Sequence, residues 1–302
     1  MRRSWRWAAA VVAVAVVAPV AGVLVSLLTP TTDVWRLLWE TSLVEMVVST
    51  FVLMIGVVAG TLVIGGGLAW LTSVHRFPWS RSLSWLLVLP LAMPAYVLGF
   101  VAIGLLDAPG PVQSLLRALT GADGSLFNPR SMGLAIVVFT LALYPYVYLQ
   151  ARAALGEQSA TPYHAARTLG LSPTAAARRV LLPLARPALA AGAALVAMET
   201  LSDFATVQYF NVTTISVGVE QVWHGMFERA AAAELASIVL VMAAVVIFGE
   251  RRLRGRARYE QKGRGGGIEP ITLTGARGWA ATAACGMVLM LAFVIPGLQL
   301  VA

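Results

Sequence analysis

The sequence predicts an all-α transmembrane protein, a polytopic bundle of about seven helices. Apolar residues make up 59% of the 302 residues and charged residues only 12%, whereas a soluble domain usually carries about 25% charged residues. The apolar residues also form blocks long enough for a helix to cross a bilayer, which takes roughly 20 residues. The short alternating segments typical of a membrane β-barrel do not occur. These observations exclude a soluble globular class.

Each block gives one predicted span. The seven spans are Trp7–Leu28, Met46–Leu71, Leu83–Leu106, Ser131–Leu155, Pro187–Gln208, Ala230–Gly249 and Trp279–Ala302. The first block follows three arginines, as a signal peptide would, but it is longer than the roughly 7–15 apolar residues of a signal-peptide core. We therefore interpret it as a retained first helix.

The distribution of basic residues predicts the orientation. With the N-terminus in the cytoplasm, 18 of the 22 Lys and Arg residues fall in cytoplasmic segments, the side on which positive charge is retained during insertion. The net charge of +8 is then a topology signal, and nucleic acid is not expected as a partner. The basic run from Arg251 to Arg258 could also contact anionic lipid headgroups.

Glycines and prolines mark special positions inside the spans. Gly56 and Gly60 form a GxxxG pair, which favours close approach of helix backbones in lipid. Pro90, Pro94 and Pro145 each remove a backbone hydrogen bond, so we expect them to kink their helices. Such kinks can line a cavity or act as hinges. The alternative is that they are ordinary bends whose free backbone groups bond to neighbouring helices.

Two carboxylates are the polar outliers of the fifth predicted span. Glu199 and Asp203 lie four residues apart, which in one helix places them on the same face, about 6 Å apart along the axis. A charged group at mid-membrane costs about 2.5–3.5 kcal/mol on insertion scales, so this face should point into the bundle or a watered cavity. With Thr200 and Ser202 they are candidates for lining a substrate path. The alternative is a neutral carboxylate bonded to a neighbouring helix.

No catalytic, cofactor or metal site is expected in this chain. The glycine run Gly65–Gly67 is not closed by the Gly-Lys-Ser/Thr sequence of a phosphate-binding loop, so a nucleotide would bind on another subunit. The three histidines, His75, His164 and His224, fall in different loops. The single cysteine, Cys285, has no partner for an intrachain disulfide.

The cytoplasmic loop 156–186 has the pattern of two short helices joined by a glycine turn. Thr161 is expected to cap the first helix, and Gly170 to end it in a left-handed conformation. Ser172-Pro173 then repeats the cap-plus-proline start signal. Such a unit is either a rigid docking surface on the cytoplasmic face or an amphipathic connector.

The same loop carries a family pattern. His164-Ala165-Ala166, then Gly170, and after nine further residues Val180-Leu181-Leu182-Pro183 resemble the EAA loop of ABC-importer permeases. The resemblance implies the type I importer permease fold and a coupling helix that sits in a cleft of the ATPase subunit. It assigns this role to His164, Ala165, Ala166, Gly170, Leu182 and Pro183. His164 stands where the family has glutamate. A histidine there would weaken a capping box with Thr161.

Three further segments look like the ferric-iron branch of these permeases. They are 89–96, 143–149 and 198–204. The resemblance implies a multi-pass protein of the bacterial inner membrane that takes iron(III) from a periplasmic binding protein while a separate cytoplasmic ATPase dimer hydrolyses ATP. Relatives that move polyamines, thiamine, sulfate or phosphonates share the architecture. On the residues alone, an ion-gradient-driven secondary transporter with Glu199 and Asp203 as relay is the competing class, and a membrane-embedded hydrolase or transferase is a weaker third.

The resemblance also suggests a domain plan. Residues 1–249 form the permease domain, 250–277 a basic cytoplasmic linker, and 278–302 the first span of a second permease half. Trp279-Ala280-Ala281 loosely repeats Trp7-Ala8-Ala9 at the start of the first span. We expect transport to need a second half, supplied in fusion or in trans.

Overall fold

The computed structural model describes residues 2–28, 31–121, 123–156, 160–254 and 270–301. In these ranges the regular secondary structure is helical apart from one two-residue strand pair. The helices are α1 Arg2–Ser26, α2 Thr32–Thr41, α3 Leu43–Val74, α4 Ser80–Leu86, α5 Ala95–Leu106, α6 Pro111–Thr120, α7 Met132–Gly156, α8 Ala160–Thr168, α9 Pro173–Ala176, α10 Leu182–Ser202, α11 Ala205–Tyr209, α12 Ile215–Glu220, α13 Arg229–Arg254, α14 Gly275–Leu289 and α15 Ile295–Val301. The strands are β1 His75–Arg76 and β2 Ile271–Thr272, which pair in parallel.

Seven helical stretches in the described residues are long and apolar enough to cross a membrane, as predicted. They are Trp7–Ser26, Leu43–Val74, Ala95–Thr120, Met132–Gly156, Pro173–Ser202, Arg229–Leu253 and Gly275–Val301. Each overlaps one of the predicted spans, and the third of them, Ala95–Thr120, consists of α5 and α6 on either side of the turn at 107–110. The cytoplasmic position of the N-terminus stays a prediction.

Helices α3, α7 and α10 form the centre of the bundle because small residues let their backbones approach. A Cβ built on Gly60 would lie 2.5 Å from Thr140 Oγ1, and one on Gly65 would lie 2.6 Å from the Tyr144 carbonyl oxygen. On α10, a Cβ on Gly192 would lie 2.8 Å from the Val147 Cα. The GxxxG pair and Gly65 therefore pack against α7, where small residues permit van der Waals contact in lipid.

The third predicted span is not one helix, which corrects the continuous span Leu83–Leu106. Helix α4 ends at Leu86, a 3₁₀ turn covers Leu89–Ala92, and α5 begins only at Ala95. Met93 is extended (φ −110°, ψ 116°) because the ring of the following Pro94 disfavours helical geometry in the residue before it.

The fifth predicted span also differs at both ends. The second helix of the cytoplasmic loop does not stop before the membrane, because a π-helical turn, Ala177–Leu181, joins α9 to α10 in one 30-residue rod. At the other end α10 stops at Ser202, and Asp203 is extended (φ −77°, ψ 121°). Glu199 and Asp203 therefore do not belong to one uninterrupted helix.

The seventh span packs on the rest of the bundle. Buried Ala281, Cys285 and Leu289 share one apolar cluster with Tyr144 and Tyr148. The Thr282 hydroxyl donates a 2.7 Å hydrogen bond to the carbonyl of Pro78, and the Leu273 N–H donates a 2.8 Å bond to the carbonyl of Arg76. Most of the predicted linker, residues 255–269, lies outside the described residues.

A buried carboxylate ties the N-terminal region to the sixth span. Glu234 of α13 is fully buried and accepts hydrogen bonds from the Thr31 N–H at 3.1 Å, from the Thr31 hydroxyl at 3.2 Å and from the indole N–H of Trp35. No local sequence signal marks this residue. Its carboxylate accepts the N–H of Thr31, the N-cap residue of α2, as the third-position glutamate of a capping box would, so it fixes the start of α2 against α13.

We predict that Gly65→Ala destabilises the bundle by about 1–3 kcal/mol, the range for overpacking a close-packed interior. The new Cβ would meet backbone atoms of α7, which cannot rotate away. Gly67→Ala is the matched control, because a Cβ there meets nothing within 4 Å. Thermal unfolding in detergent should separate the two variants. Equal melting temperatures would mean that α3 and α7 are not held at this distance.

Candidate functional site: a mid-bundle cavity and a cytoplasmic loop

Tyrosines of α7 hold the broken third span in place. The Tyr144 hydroxyl donates a 2.8 Å hydrogen bond to the Leu87 carbonyl, and the Tyr148 hydroxyl donates a 2.8 Å bond to the Ser84 carbonyl. Both carbonyls lie where α4 gives way to the 3₁₀ turn, so they lack helical partners. Arg152 adds a third donor, with its guanidinium 2.9 Å from the Ser84 oxygen. The break near Pro90 is therefore hydrogen-bonded inside the bundle, as lipid requires.

Asp203 stabilises the break in the fifth span. Its Oδ1 accepts a 2.7 Å hydrogen bond from the Thr206 N–H, and its Oδ2 accepts a 2.6 Å bond from the Thr206 hydroxyl. This is the geometry of an N-terminal cap, here for the short helix α11. The Ser216 hydroxyl donates a 2.9 Å bond to the Asp203 carbonyl. Part of the role of this carboxylate is thus structural.

The two breaks and α7 enclose a cavity of about 260 Å³. Its lining consists of Leu91, Met93, Pro94, Ala95, Tyr96, Phe139, Ala142, Leu143, Tyr146, Glu199 and Asp203. The structure thus brings Glu199 and Asp203 together although a helix end separates them. Within the described chain Glu199 makes no side-chain hydrogen bond and is exposed, so its carboxylate is free to face the cavity.

The other predicted path residues do not line this cavity. The Thr200 hydroxyl donates to the Val196 carbonyl at 2.8 Å, and the Ser202 hydroxyl donates to the Met198 carbonyl at 3.1 Å. Of the three prolines, Pro94 lines the cavity, whereas Pro90 and Pro145 are buried beside it and α7 continues through Pro145.

The cavity also contains residues that the sequence analysis did not assign to the path. Tyr96 follows the break at Pro94, and Tyr146 follows Pro145. Their positions within two residues of a proline were the available signal. No three His, Cys, Asp or Glu residues of the described ranges cluster as a metal-holding group would.

The first helix of the cytoplasmic loop begins earlier than the cap signals indicate. Helix α8 starts at Ala160, so Thr161 lies inside the helix and cannot be its cap. A capping box between Thr161 and residue 164 does not fit these bounds, because with Ala160 as the first helical residue the third is Pro162, two residues before His164. His164 is exposed, and its ring makes an edge contact with the ring of Tyr163 at 5.6 Å between centroids. Residues 157–159 lie outside the described ranges.

The glycine turn has the expected form. Gly170 has φ +88°; its N–H donates to the Arg167 carbonyl at 3.1 Å and the Leu171 N–H donates to the Ala166 carbonyl at 3.2 Å. This pair of bonds is a Schellman cap, which places C′ in the left-handed region. The next helix starts as predicted, because the Ser172 hydroxyl accepts a 3.3 Å bond from the Ala175 N–H ahead of α9.

The loop has distinct inner and outer faces. Tyr163 and Ala166 are buried in an apolar cluster with Val74 and Leu155 from the ends of α3 and α7. His164, Ala165 and Gly170 are exposed. Leu182 and Pro183, the last residues of the predicted motif, open α10. Pro183 has no N–H to donate to the carbonyl of Arg179. This missing α-helical bond gives a physical reason for the π-helical turn just before Pro183.

One family profile matches residues 62–259, well over half of the chain and both parts of this site. It describes the binding-protein-dependent transport system inner membrane component. The chain belongs to this family. Membership confirms the predicted class, a multi-pass inner-membrane component of a transport system and not an enzyme.

Several members of the family are similar to the chain in sequence. The Fe(3+)-transport system permease protein FbpB 2 of Haemophilus influenzae is 25% identical over 230 residues, which cover 76% of this chain and 42% of that protein. The sulfate permease protein CysT of Salmonella typhimurium is 27% identical over 63% of this chain and 68% of its own length. The molybdenum permease protein ModB of Azotobacter vinelandii is 30% identical over 48% of this chain and 63% of its own length. The chain thus spans less than half of the iron permease.

Solved structures of membrane transporters share the fold. A chain of the bacterial alginate ABC transporter, in complex with a periplasmic protein bound to alginate pentasaccharide, superposes with a TM-score of 0.67 at 15% identity. The superposition covers 84% of this chain and 96% of that chain. This confirms the predicted permease fold.

We predict that Gly170→Val unfolds the turn between α8 and α9, because a β-branched residue is poorly tolerated at positive φ. Gly170→Asn is the control, since asparagine accepts the left-handed region more readily. Limited proteolysis of the loop in detergent micelles should be faster in the valine variant alone. Identical cleavage rates in the two variants would show that the left-handed turn does not hold the loop together.

Proposed function

We propose that this chain is the membrane-spanning permease subunit of an ATP-driven ABC importer for iron(III). The metal would arrive on a periplasmic binding protein, and a separate cytoplasmic ATPase dimer would hydrolyse ATP. Family membership and the shared fold with the alginate ABC transporter support the transporter class. The charge of the mid-bundle cavity supports the substrate.

The cavity carries acidic side chains and no basic one. Glu199 and Asp203 are the two ionisable carboxylates of its lining, and neither Lys, Arg nor His occurs there. In a low-dielectric interior two carboxylates attract a cation and repel an oxyanion strongly. The relatives include permeases for Fe(3+), sulfate and molybdenum. Of these the cavity charge fits the iron system, since a sulfate ion would meet like charge.

The arrangement suits passage of an ion better than storage. A hard trivalent cation prefers oxygen ligands, and conduction requires contacts weak enough for release. Asp203 already accepts two hydrogen bonds from Thr206, so only Glu199 keeps its full acceptor capacity. The carboxylates would therefore act as an electrostatic lining for the ion on its way through the bundle.

The cytoplasmic loop is the proposed ATPase contact. Its outer face exposes His164, Ala165 and Gly170, while Ala166 anchors the loop to the ends of α3 and α7. A displacement of the outer face by the ATPase would thus be transmitted to α3 and α7 through packed side chains. Leu182 and Pro183 continue this path into α10, which carries Glu199 at its other end.

The seventh span is proposed to open a second permease half. Its support is the similarity of Trp279-Ala280-Ala281 to the start of the first span and the 42% coverage of the iron permease. In this view the pair β1–β2 and the packing of Cys285 against Tyr144 and Tyr148 join the two halves.

We expect Glu199→Gln and Asp203→Asn each to slow iron(III) uptake, with the double variant slower still, because the cavity loses negative charge while side-chain size is kept. Uptake per correctly folded molecule should be measured in vesicles containing the complete transporter, alongside the melting temperature. Asp203→Asn should also lower the melting temperature, since the amide keeps one oxygen for the Thr206 N–H but loses the oxygen that accepts from the Thr206 hydroxyl. Glu199→Gln should leave it unchanged.

Thr200→Val is the control for these variants, because its hydroxyl bonds within α10 and does not line the cavity. Normal uptake in both single variants and the double variant would remove the carboxylates from the path. Uptake that follows an imposed ion gradient without ATP would instead point to a secondary transporter.

We expect Ala165→Arg to uncouple ATP hydrolysis from transport without loss of folding, because Ala165 lies on the exposed face of α8. Ser82→Arg is the matched control, being an exposed residue on the same predicted side of the membrane but outside the loop. Co-purification of the ATPase and ATP-dependent uptake are the measurements. If both variants retain coupling, Ala165 does not contact the ATPase.

A further inference from the structure

Helix α6 has its polar and apolar faces reversed relative to a helix on a water-exposed surface. Gln113 is fully buried, whereas Leu115 and Leu119 are 61% and 74% exposed. A helix that meets water normally turns its polar stripe outward. An apolar environment outside α6 would account for this arrangement.

Hydrogen bonds of Gln113 fix this orientation. Its Nε2 donates to the carbonyls of Leu106 and Phe127 at 2.8 and 2.9 Å. Its Oε1 accepts from the Leu126 N–H at 3.0 Å and from the Ser125 hydroxyl at 3.2 Å. All its bonding capacity is used, so rolling the helix to bury the leucines would break four hydrogen bonds.

The one charged residue of α6 is also drawn inward. The Arg117 guanidinium donates to the carbonyls of Ala108 and Gly124 at 2.9 and 3.3 Å, and to the Ser114 hydroxyl at 3.0 Å. The outward face is left without charge. It consists of Pro111, Ser114, Leu115, Ala118, Leu119 and Thr120.

The depth of α6 follows from its connection to α5. A Cβ on Gly110 would lie 2.6 Å from the Leu105 carbonyl oxygen, so the chain folds back directly on the last turn of α5. Helix α6 therefore sits level with the end of a membrane helix, where the hydrocarbon meets the headgroups.

We propose that α6 is an interfacial anchor whose leucine face lies in the leaflet at the C-terminal end of α5, the outer leaflet in the predicted orientation. A soluble partner is a poorer fit, because protein interfaces rely on Trp, Tyr and Arg anchors and seldom on Leu, whereas α6 exposes only aliphatic and small residues. The anchor fixes the depth of α5, and with it Ala95 and Tyr96 of the cavity. The inference does not depend on the substrate.

The test uses spin labels on single introduced cysteines in the full chain, reconstituted in phosphatidylcholine–phosphatidylglycerol vesicles. Leu115→Cys and Leu119→Cys report on the proposed lipid face, and Asp123→Cys, an exposed position in the following loop, is the control. Native Cys285 is fully buried, and labelled wild type gives its background. Collision rates with oxygen, which is enriched in lipid, and with a neutral nickel chelate, which is enriched in water, are measured for each label.

We expect a ratio of oxygen to nickel collisions several-fold higher at positions 115 and 119 than at position 123. A nickel accessibility at 115 and 119 equal to that at 123 would overturn the proposal, because the face would then be in water. Labels shielded from both reagents would overturn it too, since the face would be covered by protein. Protection that develops only when a periplasmic binding protein is added would assign the face to that partner instead of the bilayer.

Discussion

The structure depends on one constraint: within a bilayer, backbone N–H and C=O groups must find partners inside the protein. Two predicted spans are broken, and each break is stabilised by side chains of the bundle. Tyr144 and Tyr148 bond to the carbonyls freed after α4, and Asp203 bonds to the free N–H at the start of α11. Without these groups the breaks would cost several kcal/mol for each unsatisfied backbone group.

The breaks create the cavity. An unbroken α-helix has no space along its axis and presents only side chains to its neighbours. The helix breaks at Met93–Pro94 and at Ser202–Asp203, by contrast, leave space beside α7. Irregular backbone at membrane depth is tolerated where it lines such a space. The two carboxylates consequently differ: Asp203 accepts two hydrogen bonds from Thr206, whereas the Glu199 carboxylate makes no side-chain hydrogen bond within the described residues.

The cytoplasmic loop is linked to the same bundle through packing. Ala166 and Tyr163 pack on Val74 and Leu155, and Ile271 from β2 contacts this cluster. The end of the predicted linker therefore packs on the apolar cluster that anchors the loop. A displacement of the loop would therefore shift α3, α7 and the seventh span together, because close-packed interiors transmit strain.

The sequence by itself determined the membrane class, the number of spans, the glycine turn at Gly170 and the family pattern of the loop. These follow from composition, block length and local backbone preference, which require no distant partner. Only the tertiary structure decided where helices end. The prolines around Met93 marked a bend, but the full break depends on Tyr144 and Tyr148, which come from another helix. Helical periodicity put Asp203 beside Glu199 but gave no sign that α10 ends at Ser202 or that Asp203 bonds to the start of α11, and nothing local to Glu234 indicated Thr31 as its partner. Contacts between residues far apart in the chain set these features, and helical periodicity does not encode them.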